Sequence, residues 1–301
     1  QIAQVSTKDN VGKISGLGWS FGYFGGIFLL LICYFGFVAG DGGLLGISTE
    51  GGLNIRLVAV LAAAWFGLSA LPGFFRVPEI PPSGEKAGSI KDSYVKLFRD
   101  INKLWQVDRN ACYFLFASAI FRDGLAGVFA FGAVLGVSVY GLNAGDVLIF
   151  GVAANVAAAL GALIGGLIDD IVGPKIIILT SLFILAGTGI AMYFVDGAVA
   201  FWIFGLILCL FVGPAQSASR GFLARVAPAG HEGQMFGLYA TTGRAVSWMT
   251  PALFGIFVSL IGDGDRGGVL AIAVVLLVGA LILVPVRDPK KHEPETAQPA
   301  V

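Results

Sequence analysis

Eight apolar runs, each long enough to cross a lipid bilayer, constrain this chain more than any other feature. They cover roughly 14–40, 57–75, 111–138, 147–168, 176–195, 198–219, 234–261 and 267–286. A helical residue rises about 1.5 Å and the hydrocarbon layer is about 30 Å thick, so about 20 apolar residues make one span. Lipid offers no water to satisfy backbone amides and carbonyls, so such runs must fold as helices. The connections carry turn chemistry at 41–43, 143–146, Gly173-Pro174, Asp196-Gly197 and 262–268, and their shortness implies antiparallel neighbours. Composition agrees: 56% of residues are hydrophobic and 13% charged, against about a quarter charged in a soluble domain. The fold class is an all-α, integral, multi-pass membrane protein of eight transmembrane helices.

Nineteen basic and nineteen acidic residues cancel, and no basic block is present, so nucleic-acid binding is not expected. Cys33, Cys112 and Cys209 lie in apolar runs without CxxC or CxxH spacing. They read as packing residues, with no metal site and no cofactor implied. Lys and Arg favour the cytoplasmic side of a membrane. With the amino terminus inside, only Arg56 and Arg266 among the loop cations fall outside, which places both termini in the cytoplasm. The chain opens on Gln1 and reads as a piece of a longer gene product.

The stretch 77–110 interrupts the series with Pro78, Pro81, Pro82 and Gly84. An amphipathic helix follows, with Ser89 and Asp92 spaced as a capping box and with Ile90, Tyr94, Leu97, Ile101, Leu104 and Trp105 on one face. It reads as a cytoplasmic connector that lies either on lipid or on protein.

A charge near the bilayer centre costs at least about 2.5 to 3.5 kcal/mol on insertion scales, so ionisable residues within spans are the candidates for chemistry. Arg122 and Asp123 lie midway through the third span, and Arg244 in the seventh is the candidate partner of Asp123. Two readings stay open. One is a solute path in which Asp123 binds or exchanges a proton and an arginine attracts an anionic group. The other is a structural ion pair with Arg244 snorkelling to the interface. Gln216 belongs to a polar stretch, Gly213 to Ser219, suited to a water-accessible cavity; Asn155 either joins it or bonds between helices.

Small residues mark helix-packing faces: Gly18, Gly22 and Gly26 on the first span, and Ala153, Ala157, Gly161 and Gly165 on the fourth. Such stripes serve static packing or a sliding contact. In the turn from Gly166 to Lys175, Gly173 permits a tight reversal and Asp170 is placed to cap a helix or pair with Lys175. Asp263 and Asp265 read as a solvated acidic turn rather than a calcium site. The histidines, His231 and His292, fall in a loop and the tail, and Asp123 is the single aspartate at depth, so intramembrane serine and aspartyl proteolysis are disfavoured. No Walker or dinucleotide motif appears. The expected class is therefore not an enzyme. The alternatives are a membrane-embedded enzyme or a membrane scaffold subunit.

The turn carrying Gly166, Asp170, Gly173 and Lys175 resembles the loop motif of the major facilitator superfamily, with Ile171 where a base usually stands. Phe121 to Gly124, the run Gly213 to Arg225, Phe236 to Tyr239, Gly243-Arg244 and Pro251 are similar to the vacuolar amino-acid effluxer (autophagy-related) branch of that superfamily and its bacterial relatives. Residues 14–26 also resemble the start of that branch's fifth helix. The resemblance implies a major facilitator fold of two six-helix bundles, of which this chain holds helices five to twelve and lacks the first four. Residues 1–76 are then the last two helices of the amino-terminal bundle, 77–110 the connector, 111–287 the carboxy-terminal six-helix bundle and 288–301 a cytoplasmic tail. The resemblance also implies that the fifth and eighth helices meet, which brings the two small-residue stripes together. It implies secondary active transport of small polar solutes, amino-acid efflux first, by alternating access. The implied partners are the lipid bilayer, a small-molecule substrate and, through Asp123, a proton. The fragment alone is not expected to transport.

Overall fold

The computed structural model describes residues 5–7, 9–40, 42–76, 99, 101–102, 104–106, 108–227 and 232–289. Its helices are α1 (Val11–Cys33, extended by a π-helical turn, Tyr34–Val38), α2 (Leu53–Arg76), α3 (Arg109–Ser138), α4 (Ala144–Val172), α5 (Pro174–Tyr193), α6 (Ala198–Val226), α7 (Glu232–Val246), α8 (Met249–Ile261) and α9 (Arg266–Leu283). Eight segments are long and apolar enough to cross a membrane, with α7 and α8 together forming one of them.

Local sequence accounts for several helix ends. The Asp108 carboxylate accepts the Ala111 amide at 3.0 Å and opens α3. Asn143 and Asp146 exchange side-chain and backbone bonds in a capping box that opens α4. Gly173, at a φ of 96°, turns the chain between α4 and α5, and Pro174 starts α5 where a missing amide costs nothing.

The seventh span differs from the expectation of one continuous helix over 234–261. It parts at Ser247 and Trp248 into α7 and α8. Pro251 supplies the reason: it has no amide to donate to the Ser247 carbonyl, and its ring crowds that carbonyl.

α9 packs against α3, α5 and α8, α6 packs between α4 and α5, and α1 lies along α4 and touches α6. Phe114 stacks on Phe222 with centroids 3.9 Å apart, and Phe131 on Phe254 at 4.0 Å, locking α3 to α6 and to α8. Leu125, Ile178, Leu182, Leu185, Leu276 and Leu283 are fully buried among them. α2 meets the rest chiefly through the end of α1, where Phe28 faces Trp65.

The small-residue stripes do not meet as expected. α1 approaches α4 through Gly12 and Gly16: a methyl group on Gly16 would lie 2.5 Å from the Ala162 carbonyl oxygen and 2.9 Å from the Gly166 Cα. Methyl groups on Gly18, Gly22 and Gly26 would meet nothing within 4 Å. On α4, Gly161 and Gly165 face α6 instead, against Leu210 and Pro214. Pro214 leaves the Leu210 carbonyl without its usual intrahelical donor, and only a glycine admits the close approach there. Ala157 is half-buried against the same core, and Ala153 is half-buried.

Most of the connector, including Ser89 and Asp92, lies outside the described residues, as do His231 and residues 290–301. At its end, Ile101 and Leu104 pack on the helical core, and the Trp105 ring lies 5.5 Å from that of Tyr113. One end of the bundle is tied by a reciprocal pair: Asn110 donates to the Arg287 carbonyl at 3.2 Å, and the Arg287 amide donates to Asn110 Oδ1 at 2.6 Å. At the other end Tyr140 donates to the Met192 carbonyl at 2.7 Å, and burial pushes its phenol up, so it stays the donor. Arg266, one of the two cations expected on that side, pairs there with Asp196.

Candidate functional site

Consecutive residues point about 100° apart on a helix, so Arg122 and Asp123 serve different neighbours. The Arg122 guanidinium lies over the Tyr239 ring, 3.7 Å from its centroid, and its Nη1 donates to the Tyr239 carbonyl at 2.9 Å. Gly243 makes room for it, since a methyl group there would come within 3.0 Å of Nη1. The buried Tyr239 hydroxyl shares a 2.6 Å hydrogen bond with Ser219 of α6. Three helices thus position one cation: α3 carries it, α7 supplies the ring and carbonyl, and α6 anchors the ring.

Asp123, 7% exposed, turns to α8, where its Oδ2 accepts the Thr250 amide at 2.6 Å. That amide has no intrahelical acceptor because the helix begins there, and a carboxylate suits the positive end of a helix. The expected pairing of Asp123 with Arg244 is not what the structure shows. Arg244 is exposed in the last turn of α7, and its carbonyl accepts from Ser247. Asn155 donates to the Gly151 carbonyl of its own helix at 2.8 Å rather than to a neighbour. Gln216 is half-buried on α6.

The loop motif forms a second charged cluster. Asp170 accepts the Gly12 and Lys13 amides, both at 2.8 Å, and so caps α1 from the end of α4. Arg225, at the end of α6, bridges Asp169 at 2.8 Å and Asp170 at 2.9 Å, with its side chain 4% exposed. Lys175 does not pair with Asp170: its ammonium donates to the Val284 carbonyl at 2.7 Å, because α5 leads it toward α9. Gly173 passes close to Asp288, where a side chain would collide with the carboxylate. Gly166 belongs to the α1 contact, lying against Gly12 and Gly16. A further α1–α6 tie is the buried bond from Ser15 to the Ser217 carbonyl at 2.8 Å.

Sequence reasoning missed Tyr239, Ser219, Thr250 and Arg225 as partners of the predicted charges. The only early signals were Pro251, which marks the break that exposes the Thr250 amide, and the basic residue at the end of α6. An apolar cavity of about 50 Å³ lies between α3, α5, α6 and α9, among Val128, Leu185, Phe201, Ile272 and Leu276. None of the predicted site residues lines it.

Solved structures with a similar fold include the major facilitator superfamily transporter FucP in the outward conformation. It has a TM-score of 0.60 and 14% identity, with 95% of this chain and 71% of that one covered. A variant of the E.coli fucose:proton symporter FucP gives a TM-score of 0.57 at 12% identity, covering 95% and 90%. The fold is that of the major facilitator superfamily. The uncharacterized MFS-type transporter YxiO of Bacillus subtilis is 22% identical over 282 residues, 94% of this chain and 65% of its own length. Autophagy-related protein 22 of Cryptococcus neoformans var. neoformans is 25% identical over 300 residues, 90% of this chain and 52% of its own. The chain therefore spans between about half and two thirds of these relatives. A family model described as "Vacuole effluxer Atg22 like" matches residues 3–295, almost the whole length, and the chain belongs to that family.

Proposed function

We propose that this chain acts within a secondary active transporter of the major facilitator type, one that moves small polar solutes by alternating access, with amino-acid efflux as the first activity to test. The observation that carries this reading is Arg122, a guanidinium midway along a membrane span, held by the Tyr239 ring and carbonyl with no ion pair among the described residues. A cation kept at that depth is costly unless water or an anionic group reaches it. A path for a polar solute supplies both.

Asp123 is the candidate proton site. Its carboxylate caps α8, and a proton on it weakens that cap, which links protonation to the broken seventh span. The Asp170–Arg225 cluster holds α1 against α4 and α6, and its opening would accompany the exchange of access. The placement of basic residues in the loops puts this cluster and both termini on the cytoplasmic side. No enzymatic role is assigned.

The test is uptake and efflux of amino acids by the full-length protein in vesicles, with and without a pH gradient. Gradient-dependent movement that loses its pH dependence in Asp123→Asn is the expected result. Transport and pH dependence both unchanged in Asp123→Asn would remove Asp123 from the path.

A further inference from the structure

Asp123 is 7% exposed, and no cation pairs with it among the described residues. Arg122 turns to Tyr239, and Arg244 is exposed in the last turn of α7. One carboxylate oxygen, Oδ2, accepts the Thr250 amide, while the other accepts no hydrogen bond among the described residues. A buried carboxylate without a counter-charge is costly at mid-span, so the fold calls for something that neutralises it.

Thr250 is fully buried, and its hydroxyl oxygen has no hydrogen-bond partner. Its side chain lies against the part of α3 that carries Asp123: a methyl group on Gly127, one turn further along the same face, would come within 2.5 Å of the Thr250 methyl carbon. The 2.6 Å amide contact therefore holds the hydroxyl beside the carboxylate, yet the two side chains share no hydrogen bond. An orphaned buried hydroxyl is itself unfavourable. The same break frees a backbone oxygen. The Ser247 carbonyl loses one donor to Pro251, which has no amide, and another to Asp123, which takes the Thr250 amide. It follows the last turn of α7, the negative end of that helix.

We propose that the Asp123 carboxylate and the Thr250 hydroxyl hold a sodium ion at the break in the seventh span, with the Ser247 carbonyl as a further oxygen ligand. The inference rests on the transporter reading above and adds a second ion, one that competes with the proton for Asp123. A proton on Asp123 removes its charge but leaves the Thr250 hydroxyl without a partner. A water molecule between the two satisfies the hydroxyl but not the charge. A sodium ion does both. One carboxylate balances one unit of charge, whereas calcium takes six to eight oxygen ligands and magnesium keeps a shell of waters. Broken helices in membrane carriers supply oxygens of this kind, from carbonyls released at the break and from the carboxyl end of the half-helix.

The experiment measures binding of radioactive sodium to the full-length protein in detergent. Thermal unfolding of the same sample is followed in sodium chloride and in choline chloride at equal ionic strength. Sodium is expected to bind saturably and to raise the melting temperature above that in choline. Thr250→Val keeps the shape and deletes a hydroxyl that has no protein partner. In choline it should fold at least as stably as the wild type, while its sodium affinity falls about tenfold or more. Thr250→Ser should keep the affinity, and Asp123→Asn should lose it; Thr250→Val keeps the test intact if Asp123→Asn does not fold. No saturable sodium binding, or an affinity unchanged in Thr250→Val, would overturn the proposal. Equal destabilisation of Thr250→Val in both salts would assign the hydroxyl to a bound water and overturn it as well. Amino-acid movement driven by a pH gradient in proteoliposomes, by a protein that binds no sodium, would overturn the site and leave the transporter reading standing. Sodium binding that needs both Asp123 and Thr250, without movement of any amino acid, would support the site and count against transport.

Discussion

Asp123 and Thr250 lie 127 residues apart in the chain, yet the carboxylate of one accepts the backbone amide of the other at 2.6 Å. The preceding residue, Arg122, grips Tyr239 on the far side of the break. Two consecutive residues of α3 therefore hold the two halves of the seventh span, one on each side of Ser247 and Trp248. A helix interrupted inside a membrane needs partners for the groups it frees, and here a neighbouring helix supplies one.

Asp123→Ala removes that cap and is expected to cost about 1 to 2 kcal/mol of stability. Asp123→Asn keeps an acceptor oxygen and should cost less. Thermal unfolding in detergent measures both, and equal losses would mean that the carboxylate is not acting as a cap.

Arg225→Met leaves the fully buried Asp169 without its ion-pair partner at the α1–α4–α6 junction, while Asp170 keeps its bonds to the Gly12 and Lys13 amides. The expected loss is about 3 to 5 kcal/mol, as for a broken buried pair. Lys175→Met, which loses a bond to the Val284 carbonyl, should cost about 1 kcal/mol. Denaturation of the two variants side by side orders them, and the reverse order would refute the assigned partners.

Gly16→Ala and Gly22→Ala are expected to differ in sign. A methyl group on Gly16 collides with the α4 backbone and should destabilise by about 1 to 3 kcal/mol. One on Gly22 meets nothing and gains helix propensity, about 0.5 to 1 kcal/mol. Melting temperatures distinguish them. Similar losses at both positions would restore the Gly18, Gly22 and Gly26 stripe as the packing face.

Tyr239→Phe deletes the bond to Ser219 while keeping the ring under Arg122, for a loss of about 1 kcal/mol. Tyr239→Leu also removes the cation–π contact, adding about 0.5 to 2 kcal/mol. A stability ladder of wild type, Phe and Leu checks this, and a Phe variant as impaired as Leu would place the whole effect in the hydroxyl.

The eight spans and the helical class could be read from residue order alone, although the seventh span parts into two helices and α6 runs on to Val226. Apolar run length is matched to a fixed membrane thickness, and caps such as Asn143 with Asp146 act within a few residues. The depth of Arg122 and Asp123 was equally plain. Their partners were not, because periodicity assigns a residue to a face of its own helix and says nothing of which helix that face meets. Tertiary packing chose Thr250 over Arg244 for Asp123, Arg225 over Lys175 for Asp170, and α6 over α1 for Gly161 and Gly165. Hydrophobicity, which sets where a segment lies in a membrane, acts on each segment separately. Close approach and hydrogen bonding, which set the neighbours, depend on backbones brought together from distant parts of the chain.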